Sequence, residues 1–284
     1  QCAINIGHID QNRPTMNKFI ILLILSLFSL TDNAEKLYTF GIVPQQSASK
    51  LAKLWGPIFQ DITEKTGIKL KVATATDIPT FEKRLSEGAY DFAYMNPYHF
   101  TVFNDSPGYR ALTKAKDKRI KGIIVVKKDS GITQLEQLND SKMAFPSPAA
   151  FAASILTRAH LAAIGVKFTP NYVSSHDSVY LTVAKGLYKA GGGVMRTFNN
   201  MDEATRSQLK VLWTSDGFTP HAIAAHPDID DETANLIQDA LIKMEETPQG
   251  LELLSSIKLK GFVAAKDSDW DDVRALKIDL LDDL

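Results

Sequence analysis

The sequence predicts an α/β fold in two lobes, and two observations support that prediction. From residue 37 onward, short apolar strands alternate with amphipathic helices, the pattern of a sheet flanked by helices. A strongly β-prone run over residues 121–127 is then broken by Asp129-Ser130-Gly131. We interpret that run as a first crossing into a second lobe, with a return crossing near residues 216–225.

The first lobe opens with a predicted strand over residues 37–43, which ends before Pro44. Ser47 and Ser49 offer N-caps for a helix that runs to about residue 65, and Gly67 ends it. Strands separated by helices at this spacing predict a mostly parallel sheet. The other predicted elements of this lobe are strands over 69–74 and 90–94 and helices over 79–87, 231–246, 248–256 and 268–281.

The second lobe is predicted to hold shorter elements between the two crossings. We expect strands over 142–145 and 172–174 and helices over 149–164 and 178–186. The resulting domain prediction is 35–125 and 222–284 for lobe one and 126–221 for lobe two. Two crossings make lobe one discontinuous, so a linear cut of the chain would divide it wrongly.

The N-terminal segment has the pattern of an export signal. Lys18 precedes a 12-residue apolar run over residues 19–30, shorter than the about 20 residues of a membrane span. We predict a signal peptide over 16–34, cut after Ala34, and a periplasmic mature protein; a buried core helix is the alternative. Residues 1–15 are set aside as an extension or a mis-called start. Since no cysteine follows the apolar run, no lipid anchor is expected.

Composition excludes several classes of function. Lys and Arg number 32 and Asp and Glu 33, for a net charge of −1, without the basic excess that nucleic-acid binding needs. The one cysteine, Cys2, lies in the N-terminal segment, so disulfides, cysteine metal sites and thiol catalysis are not expected in the folded part. We find no histidine pair at metal-ligand spacing and no catalytic constellation, and therefore predict neither a cofactor nor enzymatic activity.

A polar, aromatic segment follows the third predicted strand and opens a helix. Tyr94, Asn96 and Tyr98 supply hydrogen-bonding groups there. Ligands of open α/β sheets bind beyond the carboxyl ends of the strands, so these residues are candidates for a ligand site. The alternative is a strand-to-helix turn whose aromatic rings pack inward.

The segment from Phe145 to Ser154 is a second candidate. Two prolines lead into an alanine-rich helix start at Ala149, Ala150 and Phe151, where small side chains leave the first-turn N–H groups open. Those N–H groups and the helix dipole favour an anion. The alternative is close packing of the helix on its sheet, which also favours alanine.

Two further segments hold polar groups near predicted helix starts. His176 precedes the helix over 178–186 and could donate to an anion, although a lone histidine is more often structural. The run Gly191-Gly192-Gly193 is interpreted as permitting close backbone approach to a ligand. Arg196 follows it and could hold an oxyanion through two hydrogen bonds.

The chain resembles the phosphate, phosphite and phosphonate-binding proteins of ABC importers, the PhnD-like family. The resemblance runs from about residue 37 to residue 262. It implies a type II periplasmic binding protein fold with a hinge between lobes. The segments that carry it are residues 40–47, 54–57, 87–93 and 126–132, with Ser147-Pro148 and His176-Asp177.

The resemblance also implies where a ligand would lie. The family's Ser/Thr-rich turn matches Ala149-Ala150-Phe151-Ala152, which has no hydroxyl donor and leaves only backbone N–H groups. Its loop histidine matches His176, and Thr80 stands near the place of a family tyrosine. The family's acidic residues that hold an aminophosphonate fall near Arg196 and His221, a departure that speaks against an aminophosphonate.

We therefore expect a monomeric solute-binding protein that captures a small oxyanion for an ABC permease and ATPase. Two alternatives remain open at this point: a periplasmic sensor feeding a membrane kinase, and a binder of a different small organic anion.

Overall fold

The computed structural model describes residues 36–281, whose strands form two sheets, one in each lobe. The predicted signal peptide lies outside the described residues. Lobe one holds β1 (Leu37–Ile42), β2 (Lys69–Ala73), β3 (Phe92–Met95), β4 (Arg110–Ala115), β10 (Ala222–Ala225) and β11 (Phe262–Ala264). Lobe two holds β5 (Gly122–Lys127), β6 (Ser141–Phe145), β7 (Phe168–Tyr172), β8 (Ala190–Val194) and β9 (Leu209–Thr214).

Both sheets contain parallel and antiparallel pairs. In lobe one the order is β11-β4-β10-β3-β1-β2, with β1 parallel to β2 and β3 and with β10 antiparallel to β3 and β4. In lobe two the order is β7-β6-β8-β5-β9, with β6 parallel to its neighbours and β5 antiparallel to its own. The two-lobed α/β fold is confirmed. The sheets are mixed rather than mostly parallel, because the strands adjoining each crossing run against their neighbours.

The helices of lobe one begin and end largely where their caps predict. Ser47 accepts from the Lys50 backbone N–H, and Gly67 has a φ of 74°, the left-handed conformation that ends a helix at low steric cost. The helices are α1 (Ala48–Thr66), α2 (Ile78–Ser86), α3 (Pro97–Asp105), α8 (Asp231–Lys243), α9 (Pro248–Ser256) and α10 (Asp271–Arg274).

The predicted helix over residues 268–281 is wrong beyond its first turns. A 3-10 turn, Asp267–Trp270, leads into the single turn of α10. The Asp269 carboxylate accepts from the Lys266 N–H, and Asp267 accepts from the Ala111 N–H of β4. These bonds fix the start of the helix. It ends because the Leu276 and Lys277 N–H groups bond to carbonyls three residues earlier and Lys277 has a φ of 50°, which a continuing helix does not allow.

An aromatic cluster holds α1 on the sheet of lobe one. The rings of Phe40 and Phe59 have centroids 4.5 Å apart, and Trp55 packs against Tyr94 at 4.8 Å. All four side chains are buried. Burying side chains of this size contributes about 1.5–3 kcal/mol each, which fixes the carboxyl ends of β1 and β3.

The helices of lobe two start with an irregular turn. A π-helical segment, Phe151–Leu156, continues into α4 (Thr157–Ala163). The predicted strand over residues 172–174 is displaced: β7 ends at Tyr172, and Ser174 has a φ of 70°, which is incompatible with an extended strand. The remaining helices are α5 (His176–Ala184), α6 (Met195–Asn199) and α7 (Glu203–Arg206).

The triple-glycine run forms β8 and lies in the centre of the lobe-two sheet. A Cβ on Gly192 would lie 2.0 Å from the Ala153 carbonyl oxygen, and one on Gly193 would lie 2.3 Å from the Tyr180 hydroxyl. The glycines therefore allow helices to pack closely on the sheet. The interpretation that they admit a ligand is wrong.

The two crossings lie side by side. Ile120 and Phe218 form an isolated antiparallel bridge, with N–O distances of 2.8 and 2.9 Å. Since β5 begins at Gly122 and lies wholly in the lobe-two sheet, a boundary at 125/126 would cut a strand. We propose that the crossings are residues 116–121 and 215–221. Within residues 36–281, no helix has the length and hydropathy to span a membrane.

Candidate functional site

Strand ends of lobe one face helix starts of lobe two. Ile42 of β1 pairs with Tyr94 of β3 in parallel register, so the residues after both strands share one edge. Between this edge and lobe two lies a cavity of about 10 Å³, about the room of one water molecule. It is lined by Val43, Gln45, Ile78, Asn96, Ile120, Ala150, Phe151, Ala152, Ala153, His176, Val194 and His221.

The helix start at Phe151 supplies the backbone side of this cavity. The Ala150 carbonyl accepts from the N–H groups of Ser154 at 2.7 Å and Ile155 at 3.3 Å, which gives the turn its π character. First-turn N–H groups have no acceptor within their own helix. The N–H groups of Phe151, Ala152 and Ala153 are in that position, and their residues line the cavity.

Asn96 joins the two lobes at this helix start. Its side-chain oxygen accepts from the His99 N–H at 2.8 Å and so caps α3. Its side-chain amide donates to the Ala149 carbonyl of lobe two at 3.2 Å. The predicted residues Asn96, Ala149, Ala150 and Phe151 are thus brought together, and Asn96 is 4% exposed.

Gln45, which follows β1, lies at the centre of the polar contacts. Its side-chain oxygen accepts from the guanidinium of Arg196, and its backbone carbonyl accepts from the His176 N–H at 3.0 Å. Its side-chain amide lies 3.2 Å from Nε2 of His221. One glutamine of lobe one therefore contacts two predicted residues of lobe two, and a third, His221, at the end of the second crossing.

His176 is buried at the start of α5. Its Nδ1 lies 3.3 Å from the Thr197 hydroxyl. Burial, with a smaller contribution from the positive charge of Arg196, lowers the pKa of His176 to about 3. The side chain is therefore neutral near pH 7, and it can act on an anion only as a neutral hydrogen-bonding group.

His221 and Tyr94 form a stacked pair on the lobe-one side. Their ring centroids are 4.9 Å apart, and the Arg196 guanidinium lies 5.8 Å from the centroid of the Tyr94 ring. Burial lowers the pKa of His221 well below its usual value, and Arg196 lowers it further. Burial raises the pKa of the Tyr94 hydroxyl. Arg196 is thus the charged group of this cluster near pH 7.

Six predicted site residues do not line the cavity. Tyr94, Ala149 and Arg196 each contact a residue that does, namely His221, Asn96 and Gln45 respectively. The other three are Tyr98, Thr80 and Ser147. The Tyr98 hydroxyl accepts from the Leu281 N–H on the far side of α3, because the helix turns that side chain away from the strand ends. Thr80 lies in the first turn of α2, where its N–H donates to Asp77. Ser147 is buried, and its hydroxyl has no hydrogen-bond partner among the described residues.

Sequence reasoning missed Gln45 as a site residue. The signal was available, since Gln45 is a polar residue just beyond the carboxyl end of a strand, as Asn96 is. Val43, Ile120 and Val194 line the cavity without any polar group that would have marked them. Within residues 36–281, no group of three His, Cys, Asp or Glu side chains is arranged to hold a metal ion.

A family model described as "ABC transporter, phosphonate, periplasmic substrate-binding protein" matches residues 40–270. The chain belongs to this family. The match spans both sheets and both crossings, and it confirms the resemblance and the function of solute binding for an importer. The phosphonate-binding family consists of transporter components rather than enzymes, and its members are periplasmic and act with a membrane permease and an ATPase.

Named relatives of this phosphonate-binding family member are distant. It is 23% identical to the phosphate-import protein PhnD of Mycolicibacterium smegmatis, covering 83% of each chain. It is 24% identical to the phosphonates-binding periplasmic protein of Escherichia coli, covering 93% of this chain and 85% of that one. PhnD1 of Prochlorococcus marinus, solved with methylphosphonate, shares the fold with a TM-score of 0.77 and 16% identity. The match covers 85% of this chain and 97% of that one.

Proposed function

We propose that this chain captures a phosphonate or phosphate between its lobes and delivers it to a membrane permease. The observation that carries the proposal is the first turn at Phe151, whose residues border the same cavity as Gln45, His176 and His221. Relatives named for phosphate import and phosphonate binding support the ligand class.

The electrostatics of the cluster suit one tetrahedral oxyanion. Free N–H groups at a helix start carry partial positive charge, and a phosphorus oxyanion has several acceptor oxygens for them. Arg196 adds a full charge that two parallel hydrogen bonds can direct. The neutral side chains of His176 and His221 can donate hydrogen bonds without adding charge, so a ligand of one or two negative charges is nearly balanced.

Ligand capture requires the lobes to move. The cavity has room for about one water molecule, less than a phosphate needs, while Asn96 and Gln45 already contact lobe two. We therefore propose that the lobes separate about the Ile120–Phe218 bridge to admit the ligand and close again on it. Closure would replace some direct lobe-to-lobe contacts by contacts through the ligand.

Isothermal titration with inorganic phosphate, methylphosphonate, sulfate and acetate tests the proposal. We expect saturable one-to-one binding of at least one phosphorus oxyanion and weaker binding of acetate. Arg196→Gln should weaken that binding by roughly tenfold or more, since a charge-assisted hydrogen bond contributes about 1.5–3 kcal/mol. Arg206→Gln, which changes a partly exposed arginine of the same lobe that lines neither cavity, is the matched control. Absence of binding to every phosphorus oxyanion at millimolar concentration would overturn the proposal.

We also propose how the protein is exported and in which oligomeric state it acts. Residues 16–34 would direct export and be removed after Ala34, and the mature chain would act as a monomer without a lipid anchor. Sequencing the N-terminus of periplasmic protein and measuring its mass in solution test these points. Retention of the 16–34 segment, an N-terminal lipid, or a dimer mass would each contradict one of them.

A further inference from the structure

A second, larger pocket adjoins the candidate site. It has a volume of about 240 Å³ and lies beside the crossings. Ile120, Val194 and His221 line both this pocket and the small interlobe cavity. Tyr94 and Arg196, which contact His221 and Gln45, line it as well. The interlobe cavity and this pocket are therefore neighbours that share a wall.

The charged residues that line this pocket are all basic. They are Lys118, Arg119, Lys121, Arg196 and Lys258, and no carboxylate lines it. Arg119 is paired with Asp272 at 2.8 Å. The side chains of the three lysines are exposed and form no ion pair with any residue from 36 to 281.

Two nearby lysines that do not line the pocket have acidic partners. Lys114 is paired with Asp269 at 2.9 Å, and Lys116 is paired with Glu245 at 2.7 Å. Among the basic residues that line the pocket, only Arg119 has an acidic partner within residues 36–281, so the positive charge next to the site is concentrated there. Like charges brought near it are repelled, and a negative group is attracted.

We propose that the ligand carries a second negative group, a carboxylate or a second phosphoryl group, that lies in this basic pocket. The ligand class is then a phosphonocarboxylate or a bisphosphonate rather than an aminophosphonate. This inference rests on the proposed function, because it places the first oxyanion at the helix start of Phe151. A substituent bearing an ammonium group would face three lysines and Arg196.

Titration of the full chain with four ligands tests the inference. Phosphonoacetate and 3-phosphonopropionate carry the second charge, methylphosphonate has none, and 2-aminoethylphosphonate carries the opposite charge. We expect phosphonoacetate or 3-phosphonopropionate to bind at least roughly tenfold more tightly than 2-aminoethylphosphonate, with methylphosphonate between them. Added salt should weaken binding of phosphonoacetate and 3-phosphonopropionate more than binding of methylphosphonate.

Substitution of the lysines locates the effect. The double variant Lys121→Gln, Lys258→Gln should lose roughly five- to tenfold in affinity for the preferred carboxylate ligand and little for methylphosphonate. Lys260→Gln, an exposed lysine outside the pocket, is the control for loss of charge.

The outcomes separate the two proposals. Binding of methylphosphonate with no preference for an acidic substituent, or with a preference for 2-aminoethylphosphonate, overturns the basic-pocket inference and leaves the proposed function standing. Failure of all four ligands and of inorganic phosphate to bind overturns both. If the double variant lost affinity equally for methylphosphonate and for the carboxylate ligand, the basic-pocket inference would also be contradicted, since the lysines would then act on closure or folding.

Discussion

The side-chain oxygen of Gln45 in lobe one accepts a hydrogen bond from the Arg196 guanidinium of lobe two. The same side chain reaches His221 with its amide group, and its backbone carbonyl binds the N–H of His176. Gln45 therefore orients the Arg196 guanidinium and links the two lobes. The consequences of this geometry are testable by substitution.

Removing the Gln45 side chain should weaken ligand capture without unfolding the protein. Gln45→Ala leaves Arg196 without its partner and removes a link between the lobes. We expect affinity for a phosphorus oxyanion to fall by roughly tenfold or more, because a charge-assisted hydrogen bond contributes about 1.5–3 kcal/mol and a factor of ten corresponds to about 1.4 kcal/mol. Titration calorimetry measures this. Gln249→Ala, at an exposed position, should bind like the parent; equal affinity of Gln45→Ala and parent would contradict the role of Gln45.

Two substitutions at Asn96 separate its cap from its contact between the lobes. Asn96→Ala removes both, and we expect a loss of about 1 kcal/mol in unfolding free energy together with weaker binding. Asn96→Ser keeps a side-chain oxygen that can accept from the His99 N–H, but its shorter side chain does not reach the Ala149 carbonyl. It should retain more thermal stability than Asn96→Ala and still bind an oxyanion less tightly than the parent. Calorimetry of unfolding and of binding checks both; parent-like binding by Asn96→Ser would refute the contact's importance.

Overpacking at Gly192 should displace the helix start. An added Cβ would lie 2.0 Å from the Ala153 carbonyl oxygen, so the helix at Phe151 must shift. We expect Gly192→Ala to lose roughly 1–3 kcal/mol in unfolding free energy and to bind oxyanions more weakly. Gly56→Ala is the packing control, because no atom beyond its chain neighbours and its own helix lies within 4 Å of an added Cβ. Its expected cost is local, because Pro57 follows it and disfavours a helical residue with a Cβ. Urea titration should show a smaller loss of stability for Gly56→Ala than for Gly192→Ala, with oxyanion binding unchanged; parent-like stability of Gly192→Ala would contradict the packing account.

Acid should destabilise the protein through its buried histidines. The pKa of His176 is about 3 in the folded protein, against 6.5 for an unperturbed histidine. Below pH 6.5 the unfolded chain binds a proton that the folded state does not, so the unfolding free energy falls as pH drops towards 3. Between pH 6.5 and 4.5, His176 alone should account for roughly 2 kcal/mol of that loss.

A variant isolates this contribution. His176→Asn lacks the titrating group and should lose less stability than the parent over the same pH interval, as measured by urea titration at pH 6.5 and 4.5. His221 shifts stability in the same direction and stays present in both proteins. Identical pH dependence of parent and variant would show that His176 is not held neutral.

Local signals in the sequence predicted much of the fold. The caps Ser47 and Gly67, and the strands that end before Pro44 and near Tyr94, follow from patterns within a few residues. The pairing of the strands did not follow. β10 lies between β3 and β4 in the sheet, although the whole of lobe two separates it from them along the chain. Its placement therefore depends on contacts across more than a hundred residues. The glycines of β8 were misinterpreted because tight helix packing and close approach of a ligand both require glycine, so the sequence does not distinguish them.

The candidate site was predictable where it depends on strand ends and helix starts. Asn96, Ala150, Phe151, His176 and His221 line one cavity. Tyr98 was misplaced because residues two apart on a helix point in different directions, and its ring packs towards Leu281. Gln45 gained its importance from partners in the other lobe, which no local pattern reveals.

Amide NMR of protein labelled with ¹⁵N-alanine tests the central claim most directly. The claim is that a phosphorus oxyanion binds the open N–H groups of the helix start, which include those of Ala152 and Ala153. Adding methylphosphonate should move the proton signals of these two amides strongly downfield, as hydrogen bonding to an anion does, and leave Ala162 and Ala163 at the other end of the helix nearly unchanged. Saturable binding that leaves the Ala152 and Ala153 amides in place would contradict the account.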